Sequence, residues 1–172
     1  MFMKEIKGNI WKMYDTGHTI VVPTNGFGLE NGPYVMGGRI AEQAGERFPS
    51  LPFELGQAIR QDGNHVFWFW KLRLITFPIK RIWWEIADIE IINRSAQELS
   101  DLSLDGVIWK DRKKFPVMVP HVGCGNGELE WELVKPILEK HLDDRFTAVS
   151  LNETKIPEIL DYLSKEIRSE GK

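Results

Sequence analysis

The chain has 172 residues, of which 42% are hydrophobic and 27% are charged, and its formal net charge at pH 7 is -3. These values are typical of a soluble globular protein and argue against general attraction to nucleic acid or acidic membranes. Cys124 is the only cysteine, which excludes an internal disulfide and a multi-cysteine metal site. The histidines lack metal-ligand spacing, so we predict no metal and no cofactor. The first residues lack the apolar core of a signal peptide, so we expect a cytoplasmic protein with no membrane partner.

Hydrophobic periodicity along the chain alternates between the strand and helix patterns. Strands are predicted at residues 3–7, 18–24, 66–70, 72–77, 117–119 and 146–151. Helices are predicted at residues 36–48, 51–60, 86–102, 131–141 and, finally, through residues 156–167. This alternation predicts one three-layer α/β domain over residues 1–172. Ligands of such domains bind beyond the carboxyl ends of the strands. The candidate loops are therefore residues 25–38, residues 78–84 and the glycine-rich turn that begins after residue 120.

The glycine-rich turn follows the apolar strand at 117–119 and precedes an amphipathic helix. Residues 123–127 read Gly-Cys-Gly-Asn-Gly. Glycines let successive backbone N–H groups converge and let a ligand approach the main chain. The following helix is expected to add the positive end of its dipole. We therefore predict an anion site and favour phosphate as the anion. The alternative is a tight connection between a strand and a helix that binds nothing.

The loop at residues 25–38 has polar or glycine residues at both ends. Asn25 ends a β-branched strand, and its amide can donate to and accept from sugar hydroxyls. The alternative is a simple Asn-Gly turn. Met36-Gly37-Gly38 opens a helix and offers a second place where backbone approaches a phosphate. Here the alternative is a loosely capped helix start.

Lys80 follows the strand at 72–77 and is followed by two tryptophans. A lysine in such surroundings is partly desolvated, which favours its neutral, nucleophilic form. The alternative is a surface lysine beside an aromatic core. Cys124 is expected near a helix N-terminus, where the thiolate is stabilised. No histidine or asparagine partner pattern accompanies it, so we favour a small residue that fills the turn over a catalytic cysteine.

Five segments match the motifs of one known family in the same order. They are Gly8-Asn9-Ile10 (Gly-Asp-Ile in the family), residues 20–25 (a strand ending in asparagine), residues 36–41 (Met-Gly-Lys-Gly-Ile-Ala), residues 77–80 with Trp83 (Phe-Pro-Thr-Lys-x-x-Trp), and residues 120–131 (Pro-Arg-(Ile/Leu)-Gly-Cys-Gly-x-x-x-Leu-(Asp/Gln/Glu)-Trp). Over about residues 8–141 the chain thus resembles a macro domain, the ADP-ribose-binding fold. It resembles most the branch that contains the DNA-ADP-ribosyl glycohydrolase antitoxin DarG and the terminal ADP-ribose protein glycohydrolases. The resemblance implies a three-layer α/β/α fold with a central mixed sheet.

The resemblance also implies which residues contact ADP-ribose. Asn9 would contact the adenine through its side-chain oxygen and Ile10 through its backbone, and Asn25 would hold the distal ribose. The diphosphate would lie between two backbone segments, which are Met36, Gly37 and Gly38 on one side and Gly123, Cys124, Gly125, Asn126 and Gly127 on the other. Lys80 would lie near the anomeric carbon of the distal ribose. There it would stabilise or protonate the leaving group, or attack the opened sugar aldehyde.

The chain departs from the family pattern at four places. Asn9 replaces an aspartate, and His121 replaces an arginine. Gly127 stands where the terminal ADP-ribose protein glycohydrolases carry a catalytic aspartate, whereas DarG-like members also have glycine there. The loop at residues 26–35 is longer than in DarG. Hydrolysis is therefore predicted only if the chain uses a DarG-type mechanism, in which a lysine rather than an aspartate is the catalytic group.

Three hypotheses for function follow. The first is an ADP-ribosyl glycohydrolase that acts on ADP-ribosylated DNA or protein with Lys80 as its catalytic group; any toxin partner is unidentified. The second is a reader that binds ADP-ribose or a related nucleotide without chemistry. The third is a nucleic-acid or protein interaction domain that uses the aromatic residues of 68–84 and the basic run at 110–114. Most of those tryptophans are expected in the core or in the lining of a pocket.

Overall fold

The structure is a computed structural model that describes residues 2–28, 32–110 and 113–151. Its elements, in chain order, are β1 (Lys4–Gly8), α1 (Ile10–Asp15), β2 (Ile20–Thr24), α2 (Ile40–Arg47), α3 (Leu51–Asp62), β3 (Phe67–Phe69), a 3₁₀ turn (Trp70–Leu72), β4 (Leu74–Pro78), α4 (Ile89–Ser100), α5 (Asp105–Ile108), β5 (Trp109–Lys110), β6 (Lys113–Lys114), β7 (Val117–Pro120), α6 (Trp131–His141) and β8 (Phe146–Leu151). The helix expected through residues 156–167 lies outside the described residues.

A six-stranded mixed sheet forms the centre of the fold. Its strand order is β1-β8-β7-β2-β4-β3, and β5 pairs separately with β6. Within the six-stranded sheet, neighbouring strands are parallel except at the edge, where β3 is antiparallel to β4. The carboxyl ends of β1, β2, β4, β7 and β8 therefore lie at one edge of the sheet.

Helices cover both faces of this sheet because its central strands are apolar on both sides. In β2, Val21 belongs to one buried cluster, while Ile20 and Val22 belong to the other. The first cluster includes residues of α4, α5 and α6, and the second includes residues of α1, α2 and α3. The predicted three-layer α/β/α architecture is confirmed.

The structure corrects several predicted elements. α1 was not predicted, and it forms because Asn9 caps its N-terminus. α2 begins at Ile40 rather than at residue 36, since Arg39 at its N-cap has φ 56° and ψ -120°. Lys110, Lys113 and Lys114 of the basic run belong to the β5–β6 pair. Among the helices of the described ranges, none has the length and apolar composition needed to cross a bilayer.

Candidate functional site

A cleft with a volume of about 1490 Å³ lies at the edge where the parallel strands end. All of the residues predicted to bind or act on ADP-ribose line it, namely Asn9, Ile10, Asn25, Met36, Gly37, Gly38, Lys80, Gly123, Cys124, Gly125, Asn126 and Gly127. The structure thus brings together residues from five separate stretches of the sequence. Their roles toward a ligand stay predictions.

The charged side chains of the cleft lining have one sign. Lys12, Arg39 and Lys80 line the cleft, whereas no aspartate or glutamate of the described chain does so. This distribution contrasts with the acidic balance of the whole chain, whose net charge is -3. A concave surface lined by one sign of charge raises the local concentration of ligands of the other sign. The cleft therefore suits an anion.

Asn9 lies at one end of the cleft and serves as the N-cap of α1. Its Oδ1 accepts from the backbone N–H groups of Trp11 at 3.0 Å and Lys12 at 3.2 Å. The helix cap therefore competes for the oxygen that is predicted to accept from the adenine amino group, and this contact stays a prediction. The Nδ2 amide of Asn9 is a second group that can contact a ligand, and it donates. On an adenine, a ring nitrogen is a suitable acceptor.

The glycine-rich turn connects β7 to α6 through hydrogen bonds of its own backbone. Leu129 N donates to Gly123 O at 2.9 Å, and Glu128 N donates to Gly125 O at 3.0 Å. α6 has Glu130 as its N-cap and begins only at Trp131. The predicted helix at residues 131–141 is therefore confirmed, but its first residues do not belong to the cleft lining. The helix starts that line the cleft are those of α1, through Ile10 and Trp11, and of α2, through Ile40 and Ala41.

Two glycines of this turn lie where a side chain has no room. A Cβ at Gly127 would lie 2.5 Å from the carbonyl oxygen of Gly123, which is backbone. Gly123 has φ 76°, and a Cβ there would lie 2.9 Å from Cδ1 of Ile92. The turn therefore needs glycine at both positions, and it presents main chain rather than side chains to the cleft. This leaves no space for an aspartate at position 127.

The α2 start and the glycine-rich turn touch each other across the cleft. A Cβ on Gly38 would collide with Nδ2 of Asn126, and a Cβ on Gly125 would lie 3.3 Å from Nη1 of Arg39. Arg39 was missed by the sequence analysis. A positively charged residue beside two glycines at a helix start was the available signal. Its φ and ψ lie in a region that is essentially restricted to glycine, which costs about 1–3 kcal/mol.

Asn25 is 1% exposed at the carboxyl end of β2. Its Oδ1 accepts from Phe27 N at 2.8 Å, its Nδ2 donates to Val35 O at 3.4 Å, and its backbone N–H donates to the hydroxyl of Tyr34. Tyr34 is itself buried, and burial raises the pKa of its hydroxyl well above the usual value. Asn25 therefore forms the Asn-Gly turn that was the alternative to a contact with sugar hydroxyls. It also lines the cleft.

Lys80 lies just beyond β4 and is only 6% exposed. Its Nζ donates to the backbone carbonyl of Glu85 at 3.0 Å. Burial lowers the pKa of Lys80 below the usual value of 10.5, and the charges of Glu128 and Glu85 oppose this shift. The alternative of a surface lysine is therefore wrong. The cleft holds a desolvated amine at the end that Asn25 also lines.

Known proteins share parts of this sequence and its fold. A DNA ADP-ribosyl transferase-DNA ADP-ribosyl glycohydrolase fusion protein from Thermosipho africanus (strain H17ap60334) is 29% identical over 101 residues, which is 57% of this chain and 23% of the fusion protein. The solved structure of Thermosipho africanus DarTG in complex with ADP-ribose has a TM-score of 0.67 at 20% identity, over 92% of this chain and 46% of that one. The macrodomain of Thermus aquaticus DarG has a TM-score of 0.63 at 20% identity, over 86% of this chain and 97% of that one. This chain has the macrodomain fold.

A further solved macrodomain, from Mycobacterium tuberculosis DarG, has a TM-score of 0.62 at 22% identity, over 87% of this chain and 96% of that one. No protein-family model matches the chain. The resemblance to macro domains of the DarG branch, predicted from five motifs, is confirmed by these matches. The macrodomain spans less than a quarter of the curated fusion protein that it matches.

The first residue of the glycine-rich turn of this macrodomain is held by an aromatic stack. The ring of His121 stacks on that of Trp131 with centroids 3.7 Å apart, and Trp131 Nε1 donates to Glu5 Oε1 at 2.7 Å. Burial lowers the pKa of His121, while the charges of Glu5 and Glu132 oppose the shift. His121, which stands where the family has an arginine, therefore links the turn to α6 through Trp131, and Trp131 is bonded in turn to β1.

No group of three or more His, Cys, Asp or Glu side chains in the described chain is arranged to hold a metal ion.

The tryptophans of residues 68–84 divide into two pairs. Trp68 packs against the core and Trp83 lines the cleft, as expected. Trp70 and Trp84 are 65% and 61% exposed, so the expectation that most of the four lie in the core or the pocket lining is wrong. Trp84 instead contacts the rings of Trp83 and Phe27 at the surface.

Cys124 is expected to react slowly with iodoacetamide at neutral pH. Burial raises its pKa from 9.0 to about 11, and the charges of Glu130 and Glu132 add to the rise. The prediction of a thiolate-stabilising site is therefore wrong. A shift of this size lowers the thiolate fraction about a hundredfold. The alkylation rate of the native macrodomain is compared with that of the same protein in denaturant. Equal rates at neutral pH would contradict the assignment of a half-buried, protonated thiol.

Proposed function

We propose that this macrodomain binds ADP-ribose in the cleft and hydrolyses an ADP-ribosyl bond with Lys80 as the catalytic group. The observation that carries the proposal is the arrangement of the cleft, in which two touching glycine-rich segments form the middle and a buried lysine lies at one end. The complex of Thermosipho africanus DarTG with ADP-ribose supports the choice of ligand. The name of the fusion protein supports a glycohydrolase.

The middle of the cleft suits a diphosphate because it offers main-chain N–H groups from two sides. On one side, the first N–H groups of α2 have no partner within the helix and carry the positive end of its dipole. On the other, the glycine-rich turn lets phosphate oxygens approach its backbone closely. The cationic lining adds long-range attraction. With the diphosphate in this place, the adenosine extends toward Asn9 and the distal ribose toward Asn25 and Lys80.

At the Lys80 end, hydrolysis breaks the bond between the anomeric carbon of the distal ribose and the modified group. Water adds to the anomeric carbon, and the leaving atom takes up a proton. A lysine ammonium with a lowered pKa is a stronger acid than an ordinary lysine and donates that proton more readily. The neutral amine has a second route, attack on the opened sugar aldehyde. Both routes need the Nζ near the anomeric carbon.

The fusion of transferase and glycohydrolase in the Thermosipho africanus protein supports a partner as part of the same proposal. A DNA ADP-ribosyl transferase would then attach the group that this macrodomain removes. The substrate would be ADP-ribosylated DNA, with ADP-ribosylated protein as the competing class. Such chemistry on DNA fits the cytoplasmic location expected from the sequence.

Calorimetric titration with ADP-ribose tests binding, with AMP and NAD as comparison ligands. We expect a dissociation constant in the micromolar range for ADP-ribose and weaker binding of AMP, because AMP lacks the diphosphate and the distal ribose. The Gly125→Glu variant is expected to lose binding, since its carboxylate would lie beside Arg39 in the place of the phosphates. Wild type that does not bind ADP-ribose would refute the function and leave the fold standing.

A reader without chemistry is the second candidate, and two observations favour it. Position 127 carries no carboxylate, and the Nζ of Lys80 already donates to the carbonyl of Glu85. Incubation of the wild type with ADP-ribosylated DNA and with ADP-ribosylated protein separates the two candidates. Binding of ADP-ribose with no release from either substrate would establish the reader.

The third hypothesis, an aromatic and basic interaction surface, stays a prediction. The exposure of Trp70 and Trp84 agrees with it. The ion pair between Lys114 Nζ and Asp144 Oδ2, at 2.6 Å, weakens the basic run on which it depends. Salt-sensitive binding to unmodified single-stranded oligonucleotides would support it.

A further inference from the structure

Arg39 occupies a backbone position that favours glycine. It is the N-cap of α2, with φ 56° and ψ -120°, and its side chain makes no capping hydrogen bond. A non-glycine residue persists in such a conformation when the surroundings impose it, and such residues cluster at ligand sites. The strain points to a use for the Arg39 side chain that a glycine would not supply.

The guanidinium of Arg39 lies against the glycine-rich turn. A Cβ on Gly125 would lie 3.3 Å from its Nη1, 3.4 Å from its Cζ and 3.5 Å from its Cδ. The missing side chain of Gly125 thus makes room for the guanidinium. Arg39 therefore reaches from the start of α2 across to the opposite wall of the cleft. It lies between the two segments proposed to enclose the diphosphate.

This guanidinium has no protein acceptor in the part of the chain that the structure describes. Arg47, in the same helix, pairs with Asp15 at 3.1 Å, whereas Arg39 has neither an ion pair nor a side-chain hydrogen bond to a described residue. Of the cations that line the cleft, Lys12 follows Asn9 at the proposed adenosine end and Lys80 lies at the distal ribose end. Arg39 is the cation between them. A planar guanidinium with five N–H donors matches two phosphate oxygens at once.

We propose that Arg39 is a specificity-determining residue that binds the diphosphate of the ligand. The inference rests on the proposed function and adds to it the group that recognises the phosphates through a side chain. Backbone N–H groups alone donate to any anion that fits between them, whereas a guanidinium fork favours ligands with two adjacent phosphate oxygens in its plane. The cleft is thereby selective for a nucleoside diphosphate derivative over the uncharged nucleoside.

The Arg39→Gly variant tests the inference because it is expected to lower the affinity for ADP-ribose without lowering the thermal stability of the protein. Its affinity for ADP-ribose is expected to fall about tenfold to a hundredfold, as for loss of a hydrogen-bonded charge. Its affinity for adenosine is expected to stay the same. Its Tm without ligand is expected to stay equal or to rise, since glycine relieves the strained backbone. Calorimetry with ADP-ribose and adenosine and a thermal melt give these three values.

Two further variants control for charge and shape. Arg39→Lys keeps the charge without the fork and is expected to bind ADP-ribose with an intermediate affinity. Lys110→Ala removes one positive charge from the exposed strand β5, outside the cleft, and is expected to bind like the wild type. The same loss in Lys110→Ala as in Arg39→Gly would overturn the inference in favour of a general charge effect.

The outcomes separate this inference from the proposed function. Wild type that binds ADP-ribose, with Arg39→Gly binding equally well, overturns the role of Arg39 alone. Equal losses for adenosine and ADP-ribose overturn it too, because the contact is then not to phosphate. A lower Tm of the variant together with lost binding marks Arg39 as structural. Wild type that fails to bind ADP-ribose overturns the proposed function and this inference together.

Discussion

Replacing Lys80 by methionine is expected to abolish turnover of an ADP-ribosylated substrate while ADP-ribose binding is kept. Lys80 is buried beyond the end of β4, and methionine fills a similar volume without the amine. General acid–base or nucleophilic groups contribute about 10²–10⁴-fold, so kcat should fall at least about a hundredfold. Release of ADP-ribose from modified DNA gives the rate, and calorimetry gives the affinity.

Lys71→Met is the matched control for this variant. Lys71 lies on the 3₁₀ turn before β4, is exposed, and is not part of the cleft lining. It is expected to turn over substrate like the wild type. If Lys80→Met retains most of its activity, Lys80 is not the catalytic group, whatever the affinity for ADP-ribose.

The lowered pKa of Lys80 also gives the pH dependence a sign. With the ammonium as proton donor, turnover falls as pH rises through a midpoint below 10.5. Attack by the neutral amine would instead make turnover rise through the same midpoint.

The lowered pKa of Lys80 also affects the free energy of unfolding. Between the pKa of Lys80 in the folded protein and its higher pKa in the unfolded chain, the unfolded chain binds more protons. Lys80 therefore makes stability rise with pH across that window. Lys80→Met should remove this contribution, which chemical denaturation at several pH values measures.

Much of the fold was predictable because the central strands are apolar on both faces. The run through Ile20, Val21 and Val22 has no polar alternation, and this is the pattern of a parallel strand between two helical layers. α1 was missed because six residues are too few to show a helical stripe. Asn9 is a residue type that commonly caps helices, but the family motif predicts a ligand contact for it. Both roles compete for the same side-chain oxygen.

The site was predictable where glycines mark backbone that a ligand approaches, and less so where distant segments meet. The crossing of Arg39 over Gly125 joins residues that are far apart in sequence, and no local pattern encodes that contact. Burial of Lys80 and the raised pKa of Cys124 likewise depend on which segments pack around them. The sequence was therefore sufficient to assign Lys80 and Cys124 to the cleft, whereas the pKa of each side chain depends on tertiary packing.

Replacing Gly127 by alanine is expected to damage the cleft much more than the same change at Gly125. A Cβ at position 127 would lie 2.5 Å from the oxygen and 2.8 Å from the carbon of the Gly123 carbonyl, so the turn itself must move. Overpacking of this kind costs about 1–3 kcal/mol of unfolding free energy. The displaced turn is also expected to weaken ADP-ribose binding about tenfold or more, since its N–H groups no longer converge on the diphosphate.

Gly125→Ala is the matched variant because its new methyl group meets only the Arg39 guanidinium, the end of a flexible side chain. Its unfolding free energy is expected to change little, and its affinity for ADP-ribose only a few-fold as Arg39 shifts. Chemical denaturation and calorimetry on both variants give the comparison. Equal effects at the two positions would mean that the turn adapts freely. The contact between Gly127 and Gly123 would then not be what excludes a carboxylate at position 127, and the lysine-centred mechanism would lose one of its structural reasons.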